Sequence, residues 1–416
     1  MNRQFQFKTC TCKSELIISK TVYQPMCLDI KKVRNETPGI SHSIHMMAAG
    51  SALMPQCVVD TIIEYTKLEA QIGGYEAHAQ RADELDNVYN IVADHIAAHP
   101  REIALMENAT VAWCHAFYAM PLAPGARILT CEAEYAANYV AFLQRAKRDN
   151  LKIEVIPSDD TGAIDLQALE SAIDDNVGLI AITWIPTNGG LVNPAGKVGA
   201  ISRKYNIPYL LDACQAFGQM PINVSDLGCD FLSATGRKFI RGPRGTGFLY
   251  VASKWLDSLE PAMIDHFAAP WVTTDRYQLR DDARRFESWE NAYALRAGLG
   301  AAISYADQLG LENIQQRSWN LAETCRQMLR EIPGCRIMDA GSINCAIVSF
   351  TVENLEARDT AEILRNKGIA IGATAPSSTR LDAEARNLPV MMRVAPHYYN
   401  TQDELEIMTN AIRSLV

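Results

Sequence analysis

Short apolar runs alternate with longer amphipathic stretches from about residue 100 to residue 252. Several runs are apolar at every position, which is typical of strands in a sheet that helices cover on both faces. The stretches between them have the length of helices, so strand–helix–strand units are indicated. The pattern therefore predicts an α/β fold with a mostly parallel, seven-stranded sheet between helices. The predicted strands are 102–106, 127–131, 152–156, 179–184, 208–211, 231–233 and 247–251, and the predicted helices are 58–71, 110–120, 135–149, 166–173 and 195–205.

The C-terminal part of the chain has a different pattern. A helix-rich stretch is predicted over 290–331, followed by a strand near 345–351, a helix over 357–367, a strand near 391–394 and a last helix from Gln402. This alternation predicts a second, smaller α+β domain, whereas the first forty residues carry little pattern. We therefore expect an N-terminal arm over 1–56 that joins the small domain, a large domain over 57–292 and a small α+β domain over 293–416.

Composition and charge exclude several classes of function. The 416 residues include 39 Lys and Arg against 48 Asp and Glu, a net charge of −9, which argues against a dedicated nucleic-acid binder because such proteins need a basic face. No apolar run approaches the roughly 20 residues of a membrane helix, and the first twenty residues lack the apolar region of a signal peptide. We expect a cytoplasmic protein that binds neither nucleic acid nor membrane.

The cysteine and histidine positions do not predict a metal site or a disulfide framework. Eleven cysteines are scattered without framework spacing, which is typical of a reduced, cytosolic chain. Cys10 and Cys12 lack a second pair nearby. His95 and His99 would share one helix face, as two metal ligands do, but no third histidine lies near and Pro100 follows at once. A solvated helix end is the favoured interpretation.

Two charged residues stand at positions that suggest chemistry. Asp212 follows a predicted buried strand, and ligands of open α/β sheets bind beyond the carboxyl ends of the strands. Lys238 lies between a strand end and a glycine-rich turn, where burial penalises the charged amine and makes it more nucleophilic towards an aldehyde. Taken alone, a helix-capping aspartate and a surface-loop lysine explain the two positions equally well or better.

Together the segments around these residues resemble a known signature. Asp–Ala–x–Gln ending at Gln215, Thr–Gly–Arg–Lys ending at Lys238, and the Gly–Pro–x–Gly–x–Gly that follows are similar to the pyridoxal-phosphate motif of the class V aminotransferase family. The resemblance extends from roughly Ala48 to the C-terminus and implies the fold-type I architecture. It implies that Lys238 forms a Schiff base with pyridoxal 5'-phosphate, that Asp212 keeps the pyridine nitrogen protonated, and that Gln215 donates to the phenolic oxygen.

The phosphate group of that cofactor needs anion-binding groups. Ala109 and Thr110 open a predicted helix, where free backbone N–H groups and the helix dipole favour an anion, a role compatible with simple capping. The resemblance adds Tyr135 as a ring over the cofactor and Asn188 near the phenolic oxygen, with a core tyrosine and a turn asparagine as the alternatives. It places Thr235 and Arg237 around the phosphate, the latter where relatives often have histidine. Segment 286–290 departs from the family's Gly–Thr that reaches the partner subunit's phosphate, and Thr246 is the candidate to replace that contact.

Three further residues are candidates for substrate binding. Arg393 lies in a segment similar to the family's C-terminal carboxylate-binding motif, so the resemblance implies that it binds the substrate α-carboxylate, with a surface salt bridge as the alternative. Tyr75 follows a glycine pair that is equally well explained as a helix stop. His45 lies in a segment that resembles the family's entrance to the substrate pocket, although a packed histidine is the favoured interpretation.

The choice of reaction depends on what surrounds the cofactor. Cysteine desulfurases carry a persulfide-forming cysteine shortly before the carboxylate-binding arginine, and the segment 368–390 contains none, so the sequence predicts that the chain is not a desulfurase. The residues around Tyr75 and the Arg237–Lys238 pair resemble hercynylcysteine sulfoxide lyases and isopenicillin-N-epimerase-like proteins. The leading hypothesis is a C–S lyase that performs β-elimination on a cysteine S-conjugate or its sulfoxide and releases pyruvate, ammonia and a sulfur product.

Two alternatives accompany this hypothesis. An aminotransferase or amino-acid epimerase would use the same cofactor-binding residues, whereas a cofactor-free scaffold protein is disfavoured by the joint presence of Thr110, Asp212 and Lys238. Family members form homodimers with the active site at the subunit interface. The resemblance therefore implies a homodimer that acts on a small amino-acid substrate.

Overall fold

The computed structural model describes residues 28–416. The expectations for residues 1–27, including Cys10, Cys12 and the first half of the N-terminal arm, lie outside the described residues. The strands are β1 Ile44–His45, β2 Ile103–Met106, β3 Arg127–Cys131, β4 Lys152–Ile156, β5 Val177–Thr183, β6 Tyr209–Asp212, β7 Phe231–Thr235, β8 Gly247–Val251, β9 Trp271–Thr273, β10 Arg276–Tyr277, β11 Cys335–Ile337, β12 Val348–Val352, β13 Ile369–Ala370, β14 Gly372–Thr374 and β15 Met391–Val394. The α-helices are α1 Ile30–Asn35, α2 Gln56–Ile72, α3 Gly74–Gln80, α4 Ala82–His95, α5 Ala109–Ala119, α6 Ala136–Asp149, α7 Leu166–Ser171, α8 Ala195–Tyr205, α9 Val224–Leu227, α10 Tyr293–Leu309, α11 Leu311–Arg330, α12 Ala357–Asn366, α13 Arg380–Ala385 and α14 Gln402–Arg413.

A seven-stranded sheet forms the centre of the molecule, in the order β2-β8-β7-β6-β5-β3-β4. The strands from β7 to β4 pair in parallel, and β8 is antiparallel to both of its neighbours. Each of the seven predicted strands contributes to this sheet, so the predicted α/β fold is confirmed. Successive side chains lie on opposite faces of the sheet. Leu210 and Phe231 pack in the apolar cluster on one face, and Leu211 and Leu232 pack in the cluster on the other. Both faces of the sheet are therefore covered.

A second sheet lies in the C-terminal part and is wholly antiparallel, in the order β11-β12-β15-β14. Its strand β15 carries Arg393, which is opposite Ser349 on one side and Gly372 on the other. Strand β1 pairs in parallel with β13, which attaches the segment before α2 to the C-terminal part. The division into an arm and two domains stays a prediction. Within residues 28–416, every helix is too short or too polar to cross a lipid bilayer.

Helix α8 packs closely on the end of α9, and this contact gives a prediction about stability. A Cβ atom at Gly199 would lie 1.8 Å from the carbonyl oxygen of Leu227. Gly199→Ala must therefore displace one helix from the other, and we expect it to lower the free energy of unfolding by about 2 kcal/mol. Gly196→Ala is the matched control, because its Cβ would lie 3.4 Å from the carbonyl oxygen of Asp226. Equal thermal unfolding midpoints for the two variants would contradict the prediction.

Candidate active site

Asp212 and Lys238 meet at the carboxyl edge of the central sheet. Asp212 is the last residue of β6, and Lys238 follows the neighbouring parallel strand β7 by three residues; they are 5% and 9% exposed. Among the described residues, the Lys238 amine has no hydrogen-bond or ion-pair partner. Burial lowers the pKa of Lys238; the positive charges of Arg237 and Arg393 act in the same direction, and the negative charge of Asp212 opposes them. The amine is therefore biased towards its neutral, nucleophilic form.

The Asp212 carboxylate is held from two sides. Its Oδ1 accepts a hydrogen bond from the backbone N–H of Cys214 at 2.9 Å, and its Oδ2 accepts one from Nδ2 of Asn138 at 2.9 Å. The same Asn138 nitrogen donates to Oε1 of Glu134 at 2.8 Å. Burial raises the pKa of Glu134 to about 7, and the charge of Asp212 adds to the shift. The sequence analysis missed Asn138 and Glu134, although their spacing of four residues at a helix start is a usable signal.

Thr187 joins a predicted cofactor-binding residue to a predicted substrate-binding one. Its hydroxyl oxygen accepts hydrogen bonds from Gln215 Nε2 at 3.3 Å and from Arg393 Nη1 at 2.7 Å, and its carbonyl oxygen accepts from Arg393 Nη1 at 2.8 Å. Gln215 Nε2 also donates to the carbonyl oxygen of Ala49 at 3.2 Å, whereas its buried Oε1 has no partner. Burial lowers the pKa of Arg393 to about 10. Within the described chain, no carboxylate pairs with this guanidinium.

Tyr135 and Arg237 complete the cluster. Burial raises the pKa of Tyr135, the charge of Asp212 adds to this, and the positive charges of Arg237 and Arg393 oppose it. The phenol is therefore close enough to Asp212 and to both guanidinium groups for their charges to affect it. Arg237 donates to the carbonyl oxygen of Gly50 and is without a carboxylate partner in the described part of the chain. Two guanidinium groups and the Lys238 amine thus lie near one aspartate, and the two positive charges favour an anionic ligand.

A small-residue turn lies next to this cluster. Asn108 caps α5 by accepting the Val111 N–H at 3.0 Å, so Ala109 and Thr110 form the first turn of that helix. Gly247, at the start of β8, packs so closely that a Cβ there would lie 3.0 Å from the backbone of Asn108. The first turn of α5 therefore lies against the start of β8 and presents free N–H groups.

Two threonines lie beside this turn. Thr235 donates to the carbonyl oxygen of Thr246 at 3.3 Å, and the Thr246 hydroxyl donates to the carbonyl oxygen of Pro243 at 2.8 Å. Both side chains are buried, and Thr235 precedes Lys238 by three residues. The structure thus brings the predicted phosphate-binding residues close to the amine.

Asn188 is engaged elsewhere. Its Nδ2 donates to the carbonyl oxygen of Ala375 at 3.1 Å and to Oγ1 of Thr379 at 2.9 Å, and its Oδ1 accepts from the hydroxyl of Thr374. The amide therefore holds segment 374–379, which follows β14. Its proposed contact with a cofactor oxygen stays a prediction, and forming it would require release of one of these bonds.

Tyr75 and His45 lie outside the cluster. Tyr75 is 77% exposed and lines a separate cavity of about 390 Å³ together with Trp289 and Tyr293. His45 lies on β1, where its Nδ1 is 3.3 Å from the hydroxyl of Tyr399 and burial lowers its pKa. In the part of the chain that the structure describes, neither residue forms a hydrogen bond or ion pair with Lys238.

The grouped side chains fit the cofactor that the resemblance implies. An aldehyde needs a desolvated amine, a protonated pyridine needs a buried carboxylate, and a phosphate needs cations and free N–H groups; Lys238, Asp212, Arg237 and the first turn of α5 match these needs. The Oε1 atom of Gln215 is buried and has no hydrogen-bond partner, so it is available to a ligand or a water. By contrast, residues 28–416 contain no group of three or more His, Cys, Asp or Glu side chains arranged to hold a metal ion.

Comparisons with known proteins show which family the chain resembles along most of its length. A family model described as aminotransferase class V matches residues 44–408. A probable cysteine desulfurase of Methanothermobacter thermautotrophicus is 27% identical over 391 residues, which cover 92% of this chain and 97% of that protein. A cysteine desulfurase of Yersinia pestis is 29% identical over 408 residues, 94% of this chain and 99% of the relative.

Solved structures show the same fold. The apo structure of a cysteine desulfurase from Thermococcus onnurineus has a TM-score of 0.87 at 26% identity, over 93% of this chain and 98% of that one. A complex of the cystine C–S lyase C-DES with its product cysteine persulfide has a TM-score of 0.82 at 20% identity, over 91% and 99% of the two chains. At that identity the second likeness shows the fold alone.

These relatives correct the predicted reaction. Relatives that match nine tenths of the chain are named cysteine desulfurases, so the exclusion of desulfurases is wrong. For the same reason the hypothesis of a lyase for cysteine S-conjugates is wrong, and the aminotransferase or epimerase alternative is not favoured. The physical reason is that the resemblance assigns Lys238, Asp212 and Gln215 to the cofactor, and residues that bind the cofactor do not record which substrate bond breaks. The exclusion depended on a single missing thiol in segment 368–390.

Proposed function

The chain belongs to the class V aminotransferase family of pyridoxal-phosphate enzymes, and from this membership we propose that it removes the sulfur atom from L-cysteine, as a cysteine desulfurase does. The observation that carries the proposal is the match to proteins named cysteine desulfurase over more than 90% of both chains. The cluster around Lys238 supports it, because each group that such an enzyme needs at the cofactor and at the α-carboxylate is present there.

The residues divide into cofactor-holding and substrate-holding groups. Pyridoxal phosphate, when bound, supplies an aldehyde and a ring that accepts negative charge from the substrate Cα. Lys238 would bind the aldehyde, and its released amine would take and return the Cα proton. Asp212 would hold the proton on the ring nitrogen. The first turn of α5, with Arg237, Thr235 and Thr246, would bind the phosphate.

Arg393 is the proposed anchor of the substrate. Its Nη1 donates hydrogen bonds to the carbonyl and hydroxyl oxygens of Thr187, and Nη2 and Nε have no hydrogen-bond partner among the described residues. Burying a guanidinium without a carboxylate partner costs free energy. A ligand carboxylate that pairs with it removes this cost, and the ligand therefore binds more tightly.

The sulfur acceptor is proposed to be a thiol that does not belong to segment 368–390. Desulfuration converts L-cysteine and an acceptor thiol into L-alanine and a persulfide, so atoms and electrons balance without an oxidant. Among the described cysteines, Cys214 lies beside Asp212 and Lys238, but burial raises its pKa well above the usual range and keeps it as the weakly nucleophilic thiol. We therefore propose that an added thiol, rather than Cys214, accepts the sulfur.

The proposal predicts a defined product balance. We expect the loaded enzyme, given L-cysteine and excess dithiothreitol, to form L-alanine and sulfide in equal amounts. Amino-acid analysis and a sulfide assay measure the two products. Without an added thiol, alanine formation is expected to be much slower, because L-cysteine itself is then the acceptor thiol in the assay. Pyruvate and ammonia in place of alanine would refute the proposal.

The quaternary structure is part of the same proposal. We propose a homodimer, supported by exposed aromatic side chains that a monomer would leave in water: Tyr75 is 77%, Trp271 is 73% and Trp289 is 45% exposed. In such a dimer Tyr75 could serve the partner's site. The cytoplasmic location and the narrower likeness to hercynylcysteine sulfoxide lyases stay predictions.

A further inference from the structure

The amide of Asn138 lies between two buried carboxylates. Its Nδ2 donates to Oδ2 of Asp212 at 2.9 Å and to Oε1 of Glu134 at 2.8 Å, and the three residues are 3%, 5% and 3% exposed. An amide nitrogen carries two hydrogens, so each carboxylate receives one. Both hydrogens are used, and the orientation of the amide is thereby fixed from both sides.

Glu134 is itself anchored by the sheet. Its Oε1 also accepts from the Tyr135 N–H at 2.8 Å and from the hydroxyl of Thr183, and its Oε2 accepts from Oγ1 of Thr130 at 3.0 Å. Thr183 ends β5 and is paired with Asp212 at the end of β6, while Thr130 lies near the end of β3. The network therefore ties three strand ends to the first turn of α6.

This arrangement restricts the Asp212 side chain. One of its oxygens is occupied by the Cys214 N–H and the other by Asn138, so rotation of the carboxylate would break one bond or both. Without Asn138, Oδ2 would be a buried anionic oxygen lacking that donor, which favours rotation or protonation. Both responses weaken a carboxylate that must hold a proton on a ring nitrogen.

We propose that Asn138 and Glu134 are positioning residues for Asp212: Asn138 orients the aspartate towards the cofactor nitrogen, and Glu134 orients Asn138. The proposal rests on the cofactor and is independent of which substrate is consumed. Neither residue needs to touch the cofactor to have this effect.

The test uses the bound cofactor as its own probe, without substrate. We expect Asn138→Leu, which is close to isosteric and lacks both N–H groups, to shift the pH midpoint of the cofactor absorption band by about one unit. We also expect it to weaken cofactor binding about tenfold, the lower end of the effect of losing a supporting hydrogen bond. Glu134→Gln keeps an acceptor for Asn138 but removes a charge, so both readouts should move in the same direction by a smaller amount.

Asn193 provides a matched control. It is 2% exposed, and its Nδ2 donates to the carbonyl oxygen of Thr183 at 2.9 Å while its Oδ1 accepts from the Ile164 N–H at 3.1 Å. Asn193→Leu thus removes a buried amide from the same strand end without touching Asp212. It is expected to lower the unfolding temperature of the cofactor-free protein and to leave the midpoint of the absorption band unchanged.

Two outcomes would overturn the inference. One is a wild-type absorption titration and cofactor affinity in Asn138→Leu; the other is an equal shift in Asn193→Leu, which would mark a general effect of core damage. Should Asn138→Leu fail to fold, a wild-type titration in Glu134→Gln would overturn it instead. No substrate enters the experiment, so a failed desulfurase assay leaves the result interpretable.

Discussion

Replacing Lys238 by alanine is expected to lower turnover by about a thousandfold or more, the scale of losing a positioned general base. The reason is that the variant loses both the amine that would hold the aldehyde and the group that would move the Cα proton. Steady-state formation of alanine measures the loss. The absorption spectrum gives a second measurement, because borohydride should fix cofactor to the wild-type protein and not to Lys238→Ala.

A lysine at a different strand end controls for lost charge. Lys254 follows β8 and pairs with Asp230, and its side chain is 59% exposed. Lys254→Ala removes the same functional group far from the carboxyl edge and is expected to keep its turnover. A Lys238→Ala enzyme within tenfold of wild type would show that another group provides the amine.

Asp212→Asn is expected to lower turnover by about a hundredfold to a thousandfold, comparable to the loss of one preorganised electrostatic contact. The substitution preserves shape but removes the negative charge that would keep the ring nitrogen protonated. Its new NH₂ group also faces a donor in either orientation of the amide, Asn138 in one and the Cys214 N–H in the other. Turnover and the absorption spectrum of the bound cofactor measure the effect.

Asp230 offers a matched buried aspartate. It is 5% exposed, accepts the Tyr209 N–H at 3.0 Å, and lies at the opposite end of the same strand pair. Asp230→Asn is expected to reduce stability while the spectrum of the bound cofactor stays as in the wild type. If Asp212→Asn and Asp230→Asn lose activity to the same extent, the assigned role of Asp212 is wrong.

The central sheet was predictable because its signal is local. Runs such as 179–182 are apolar at successive positions, and these residues of the corresponding strand, β5, are all buried. The bounds were less accurate: the predicted strand at 179–184 corresponds to Val177–Thr183, because pairing with the neighbouring strands rather than apolarity decides where a strand begins. The hairpin of β9 and β10 was missed, since its burial is low and it lacks an inward-facing apolar pattern.

The candidate site was predictable only where its motif is contiguous. Asp212, Gln215 and Lys238 lie within 27 residues, so the spacing of the motif is visible in one stretch of sequence. Asn138 and Thr187 come from other segments and reach the site only through the order of the strands. A neutral asparagine or threonine carries no charge or burial signal before the fold is known. The reaction could not be predicted, because a persulfide acceptor need not belong to the chain.

The pairing of β1 with β13 has a consequence for how the protein is made. Ile44 is opposite Ile369, so these paired residues are 325 positions apart along the chain. At ribosomal speeds of about 5–20 residues per second, the earlier strand must wait roughly 16–65 s for its partner to be synthesised. We therefore expect the backbone N–H and C=O groups of β1 to lack their strand partner until the C-terminal part of the chain emerges. During that time the segment is expected to bind a chaperone.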